Sequence, residues 1–142
     1  MYRHILIPTD GSELAERGVA QGVALAKSLG ATVSVIFVVE PFSEMSGRFL
    51  EAVATYAELR REQATSALDQ AANAAKTAGV SCETIQVESG YPHQAIIAAA
   101  ENKGCDLIVM SSHGRSGLSA LLIGSVTNKV LAHAKTPVLV CP

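Results

Sequence analysis

The sequence predicts an α/β fold: an open, five-stranded parallel sheet with helices on both faces. Three observations point to it. Strand-like and helix-like segments alternate from end to end, the pattern of a parallel sheet whose crossover connections are helices. The first, fourth and last strand segments (Ile5-Leu-Ile7, Asp106-Leu-Ile-Val-Met110 and Pro137-Val-Leu-Val-Cys141) are near-continuous apolar runs, as expected of strands buried on both faces. The chain has 142 residues, 49% hydrophobic and 17% charged, which fits one domain spanning residues 1–142. A domain of this size buries roughly 70% of the surface its unfolded chain exposes and needs no disulfide or metal to hold it.

The elements follow in order. Ile5-Leu-Ile7 is the first strand, and Asp10-Gly-Ser12 punctuates it. Ser12 is a good helix N-cap, with Glu13 and Glu16 in the electropositive first turn. That helix runs to about Leu29, where Gly30 stops it. Thr32–Val39 is the second strand, and residues 41–48 form an irregular loop. An Ala-rich helix follows from about Phe49 to Ala78, with Val53, Leu68 and several alanines on its buried stripe and Gly79 at its end. Ser81–Glu88 alternates, with Ile85 and Val87 opposite Thr84, Gln86 and Glu88, the mark of a half-exposed strand at a sheet edge. Gly90-Tyr-Pro92 opens the third helix, with Pro92 in its first turn. After the fourth strand comes a glycine- and serine-rich loop, then a helix to about Ala134 and the last strand.

Composition narrows the function. The net charge of −2 provides no field to draw in nucleic acid, and the absence of Trp removes a common base-stacking platform. The chain start shows no signal-peptide pattern, and the longest aliphatic stretch, Thr32–Val39, is too short to cross a bilayer. Cys82, Cys105 and Cys141 share no metal-ligand spacing. An odd, scattered set reads as reduced thiols, and the expected location is the cytoplasm.

Ligands of parallel α/β sheets sit beyond the carboxyl ends of the strands, where strand order reverses. That directs attention to Pro8-Thr-Asp10, Val38-Val-Glu40 and the segment from Met110 onward. There the chain reads Ser111-Ser-His-Gly-Arg-Ser-Gly-Leu-Ser-Ala-Leu-Leu-Ile-Gly-Ser125. Gly114, Gly117 and Gly124 admit close approach to the backbone, and Gly124-Ser125 immediately precedes a helix start. Free N–H groups and the helix dipole favour an anion there, and the Ser125 hydroxyl can donate to it. Glycine and serine are also ordinary loop residues, so spacing alone leaves both a phosphate site and a simple turn open. The stretch is neither a P-loop, for no Gly-Lys-Ser/Thr ends it, nor a dinucleotide fingerprint, which would follow the first strand.

Taken together, Ile5-Leu-Ile-Pro-Thr-Asp-Gly-Ser12, Asp106–Met110, His113-Gly114, then nine residues, Gly124-Ser125-Val126, and Pro137-Val-Leu-Val140 resemble the universal stress protein family along the whole chain. The resemblance implies a Rossmann-like sheet of the adenine-nucleotide-alpha-hydrolase kind, in order 3-2-1-4-5, and a homodimer. In one branch of the family it implies ATP or AMP at the switch between strands one and four. That branch carries Gly, two residues, Gly, nine residues, then Gly and Ser or Thr. Here the last three fall on Gly114, Gly124 and Ser125, while the first falls on Ser111, a departure. A serine there either narrows the site or adds a hydrogen bond. The family's other contacts map onto Pro8, Thr9, Asp10, Val38 and Met110. By that mapping Asp10 accepts a hydrogen bond from the adenosine, and the Val38 backbone reads the adenine edge. Asp10 also suits a helix-capping carboxylate, and the two roles are compatible. His113, Arg115 and Val126 complete the expected nucleotide set, with Arg115 placed to meet a terminal phosphate.

No nucleophile, base and carboxylate read as an oriented set. No acidic cluster suggests a dedicated Mg²⁺ cage, so a divalent ion would arrive with the nucleotide. The last strand, Val138-Leu-Val-Cys141, is aliphatic and uncharged. As the edge strand the resemblance makes it, it invites a second copy, with the interface at Pro137, Val138, Leu139, Val140 and Cys141. Three functions remain: a regulatory module that binds an adenine nucleotide, a dimeric interaction protein without nucleotide, and a slow ATPase. Gly114, Gly124 and Ser125 favour the first.

Overall fold

A computed structural model of the chain describes residues 1–41, 50–114 and 122–142. Nine elements alternate: β1 (His4–Pro8), α1 (Glu13–Leu29), β2 (Thr32–Val39), α2 (Leu50–Ala78), β3 (Cys82–Glu88), α3 (Pro92–Lys103), β4 (Leu107–Ser111), α4 (Ser125–His133) and β5 (Val138–Cys141). The five strands form one parallel sheet in the order β3-β2-β1-β4-β5. That is the expected order, with β1 central.

The helix ends follow local chemistry. Ser12 Oγ accepts from the Ala15 N–H at 3.2 Å and caps α1. At the far end Gly30 takes φ 67°, a left-handed conformation cheap only for glycine, and its N–H reaches back to the last carbonyls. Pro92 opens α3 as expected. The loop expected at 41–48 and the expected helix start at Phe49 lie largely outside the described residues.

Alternation along the strands divides the core in two. Ile5 and Ile7 of β1, Val33, Val35 and Phe37 of β2 and Val109 of β4 pack against Val19 and Val23 of α1 and against Ala64, Leu68, Ala71 and Ala75 of α2. On the other face Leu6, Ile36, Ile108 and Met110 meet Ile96 and Ala100 of α3 and Val130 of α4. Each central strand therefore buries both faces, which is why its sequence is a continuous apolar run. β5 departs from that expectation. Cys141 is buried, but Leu139, on the same face, is 46% exposed, because α1 makes only slight contact with this edge.

The amino-terminal end of the sheet is fastened by Asp106, just before β4. Its carboxylate accepts the Arg3 N–H at 2.9 Å and the His4 N–H at 3.0 Å, while its own N–H donates to the His4 carbonyl at 2.9 Å.

Candidate functional site

A cleft of about 250 Å³ opens at the carboxyl ends of β1, β2 and β4. β1 is the switch point, since the chain crosses to β2 on one side and β4 lies on the other. The strand ends diverge there and leave room for a ligand. Pro8, Thr9 and Asp10 form the middle of the cleft, and Met110, Ser111, His113 and Gly114 form the β4 side. Gly124, Ser125 and Val126 close it at the start of α4, and Val38 lines the β2 side.

The two ends of the glycine-serine loop are tied together. Gly124 N–H donates to the Ser112 carbonyl at 2.7 Å, and Thr127 Oγ1 donates to the Ser111 carbonyl at 2.9 Å. Ser111, the departure from the motif, turns its hydroxyl inward and donates to the His113 carbonyl at 2.7 Å. Its added atoms thus brace the loop from within. Thr127 was not expected in the site, yet it fixes the first turn of α4 against β4.

Both motif glycines stand where side chains would collide. A Cβ on Gly114 would overlap Asp10 Oδ2, and one on Gly124 would lie 3.2 Å from the Ser112 carbonyl oxygen and 3.3 Å from His113 Cα. Both glycines line the cleft beside α4, whose N-terminus has no side-chain cap and no acidic residue in its first turn. Its free N–H groups and dipole present positive potential to the cleft.

Asp10 Oδ1 accepts the Ser12 N–H at 2.9 Å, so the carboxylate both shapes the turn into α1 and lines the cleft. Val38 contributes backbone. Carbonyls and N–H groups of alternate β2 residues face alternate neighbours, and Thr32 and Ile36 bond towards β1. By the same parity the Val38 N–H and C=O point past Pro8, where β1 has ended.

His113 is 7% exposed, and Nδ1 lies 2.9 Å from Ser112 Oγ. Nε2 is buried and has no hydrogen-bond partner among the described residues. Which nitrogen carries the proton is set by what Ser112 does: if its hydroxyl donates to Nδ1, Nε2 is a donor suited to an anionic oxygen.

Every expected nucleotide contact among the described residues lines this one cleft. Arg115 lies outside the described residues. Glu40, at the end of the inspected β2 stretch, lines it too, and sequence reasoning missed Ala15, Ile36, Arg60, Pro92, Ile96 and Thr127, which also line it. For Arg60 there was a signal: it stands four residues before Ala64 on the stripe that continues through Leu68, Ala71 and Ala75. A charged residue on an apolar stripe is a candidate for function.

Among the described residues no cluster of three or more His, Cys, Asp or Glu could hold a metal ion. The three cysteines are free. Burial pushes the Cys105 thiol up to about 11 and raises Cys82 and Cys141 as well, which keeps all three protonated and unreactive at neutral pH. No described helix is long and apolar enough to cross a membrane.

Comparison with known proteins agrees with this geometry. Residues 1–142 match the family model described as the universal stress protein family. A universal stress protein of Methanocaldococcus jannaschii is 36% identical over 99% of this chain and 82% of its own length. UspA of Lactobacillus plantarum superposes with a TM-score of 0.88 at 24% identity, covering 99% of this chain and 98% of its own, a likeness of fold. A universal stress protein solved in complex with cAMP superposes with a TM-score of 0.75 at 27% identity, covering 99% of this chain and 97% of its own.

Proposed function

The chain belongs to the universal stress protein family, and from that premise we propose that it is a regulatory module whose cleft binds an adenine nucleotide, ATP or AMP. The observation that carries this reading is the backbone cradle that Gly114 and Gly124, without side chains of their own, offer on the cleft wall at the uncapped start of α4. Such a cradle suits a phosphate. His113 and Asp10, which also line the cleft, add polar groups suited to the rest of a nucleotide. The related protein solved with cAMP supports the adenine assignment. Binding rather than hydrolysis is the reading we favour. Ser112 and His113 are hydrogen-bonded, but among the described residues no carboxylate orients the imidazole as a triad would.

Mass spectrometry of whatever nucleotide copurifies, followed by titration with ATP, AMP and cyclic AMP, tests the reading. Gly124→Val is expected to weaken ATP and AMP at least about tenfold, about 1.4 kcal/mol, since its side chain would press on the Ser112 and His113 backbone. Unchanged affinity in a folded variant would remove the phosphate from this loop.

We propose further that two copies meet along β5. Among the described residues it is an edge strand paired only with β4, and Leu139 stands half-exposed on it. An unguarded aliphatic edge invites a second strand, and the same patch used twice closes a dimer. Sedimentation is expected to give a dimer for the wild type and monomer or aggregate for Leu139→Lys. A wild-type monomer at micromolar concentration, or a normal dimer in the variant, would sink the interface.

A further inference from the structure

The cleft contains a cation that the family contacts leave out. Arg60, on α2, is 7% exposed and lines the cleft together with Glu40. Its guanidinium carbon lies 5.4 Å from the centroid of the Phe37 ring, and Nη1 donates to Gln63 Oε1 at 2.6 Å. Among the described residues it makes no ion pair. A guanidinium carries five N–H donors and no acceptor, and among the described residues only the bond to Gln63 is seen. No Arg60 nitrogen is both buried and unpartnered among the described residues, so its place on the cleft wall lets an acceptor brought by a ligand take donors there without first breaking an ion pair.

Its place in the fold says which part of the ligand that is. Phe37, under the guanidinium, belongs to β2, the strand whose Val38 backbone groups point past the end of β1. The phosphate cradle lies on the other side, at the end of β4 and the start of α4. β2 and β4 flank β1, so they stand two strand spacings apart, about 10 Å. A nucleotide with its phosphate at Gly114 and Gly124 therefore carries its base towards Arg60.

We propose that Arg60 is a specificity-determining residue that donates a hydrogen bond to a ring-nitrogen acceptor of the purine base. The proposal rests on the nucleotide reading above. Because arginine cannot accept, the exocyclic amino group of the base is left to acceptors on the same side, the Val38 carbonyl and the Glu40 carboxylate. The cation–π contact with Phe37 helps hold the guanidinium in place, and lysine, a flexible point charge, cannot reproduce its fork.

The test is a set of calorimetric titrations of wild type, Arg60→Met and Arg60→Lys with AMP, adenosine and the 1-deaza, 3-deaza and 7-deaza analogues of AMP. Each analogue replaces one ring acceptor with C–H. The wild type is expected to bind one analogue about tenfold more weakly than AMP, as for a lost hydrogen bond to a charged donor. In Arg60→Met, AMP should fall to the level of that analogue, and the discrimination should vanish; Arg60→Lys, which keeps the charge and most of the bulk, should lose most of it. A merely structural arginine would lower all five ligands in the same ratio. Discrimination as strong in both variants as in the wild type would overturn the proposal, and so would a wild type that distinguishes none of the analogues. A variant that loses AMP but keeps adenosine would place Arg60 on the phosphate and overturn it equally. These three outcomes leave the nucleotide reading standing, whereas a wild type that binds no AMP overturns that reading and this proposal together.

Discussion

Gly114→Val is expected to weaken AMP and ATP by about a hundredfold, about 2.8 kcal/mol, with adenosine weakened as well. The cause is displacement at a second residue. A Cβ at position 114 would occupy the place of Asp10 Oδ2, so the carboxylate must turn away. A charge-assisted hydrogen bond of the kind proposed for Asp10 contributes about 1.5–3 kcal/mol, and the β-branched side chain also intrudes on the phosphate cradle. Calorimetry with all three ligands measures the loss. Because both changes act on one carboxylate, Gly114→Val with Asp10→Ala should be little worse than Gly114→Val alone, a non-additivity characteristic of residues in contact. Wild-type affinity in a folded Gly114→Val protein would show that neither the cradle nor Asp10 meets the ligand.

The contrast between Asp10 and Arg60 explains what the sequence could and could not reveal about this site. Asp10, Gly114 and Gly124 were legible because each follows a strand or precedes a helix in a short, regular stretch of chain. The end of a buried parallel strand is where ligands gather, whatever the ligand. Arg60 sits in the middle of a 29-residue helix, and only the packing of α2 over Phe37 brings it to the cleft. Its position on the apolar stripe hinted at burial, but which strand it would cover is a tertiary fact. Pro92 and Ile96 were missed for the same reason, since they come to the cleft from α3 on the opposite face of the sheet.

The elements were legible wherever local chemistry and burial agree. α1 begins at Ser12 and stops at Gly30, as cap and left-handed glycine require, and β2 spans the expected Thr32–Val39. β5 was read as buried on both faces, but its apolar residues answer to an edge, where helix cover is incomplete. The fourth strand was expected to start at Asp106, whereas it runs Leu107–Ser111. Apolar continuity located the strand, yet nothing in it distinguishes a first ladder residue from a tie placed just ahead of it. Asp106 is such a tie, and its contacts lie a hundred residues away in sequence.

Asp106→Ala is accordingly expected to lower stability by about 2 kcal/mol at neutral pH while leaving nucleotide affinity unchanged. The carboxylate accepts the N–H groups of Arg3 and His4, and hydrogen bonds to a charged acceptor contribute about 1.5–3 kcal/mol. The rim of the sheet is partly open to solvent, which holds the total near the lower end of that range. Burial by itself would raise this carboxyl, but the backbone N–H groups of Arg3, His4 and Asp106 itself, together with the nearby His4 side chain, outweigh it and hold the group below its ordinary value. A depressed carboxyl stabilises the fold fully above its unfolded pKa of about 3.9, and the contribution fades as pH falls through the lower folded value. The difference between wild type and Asp106→Ala in urea unfolding should therefore be constant from neutral pH down to about 5 and shrink below about 4. A difference that persists undiminished under acid conditions would mean that the side chain acts through packing and not through its charge. Because Asp106 lies at the amino-terminal end of the sheet and the cleft at the carboxyl end, any change in AMP affinity in the folded variant would mean that the two ends are coupled through β1 and β4.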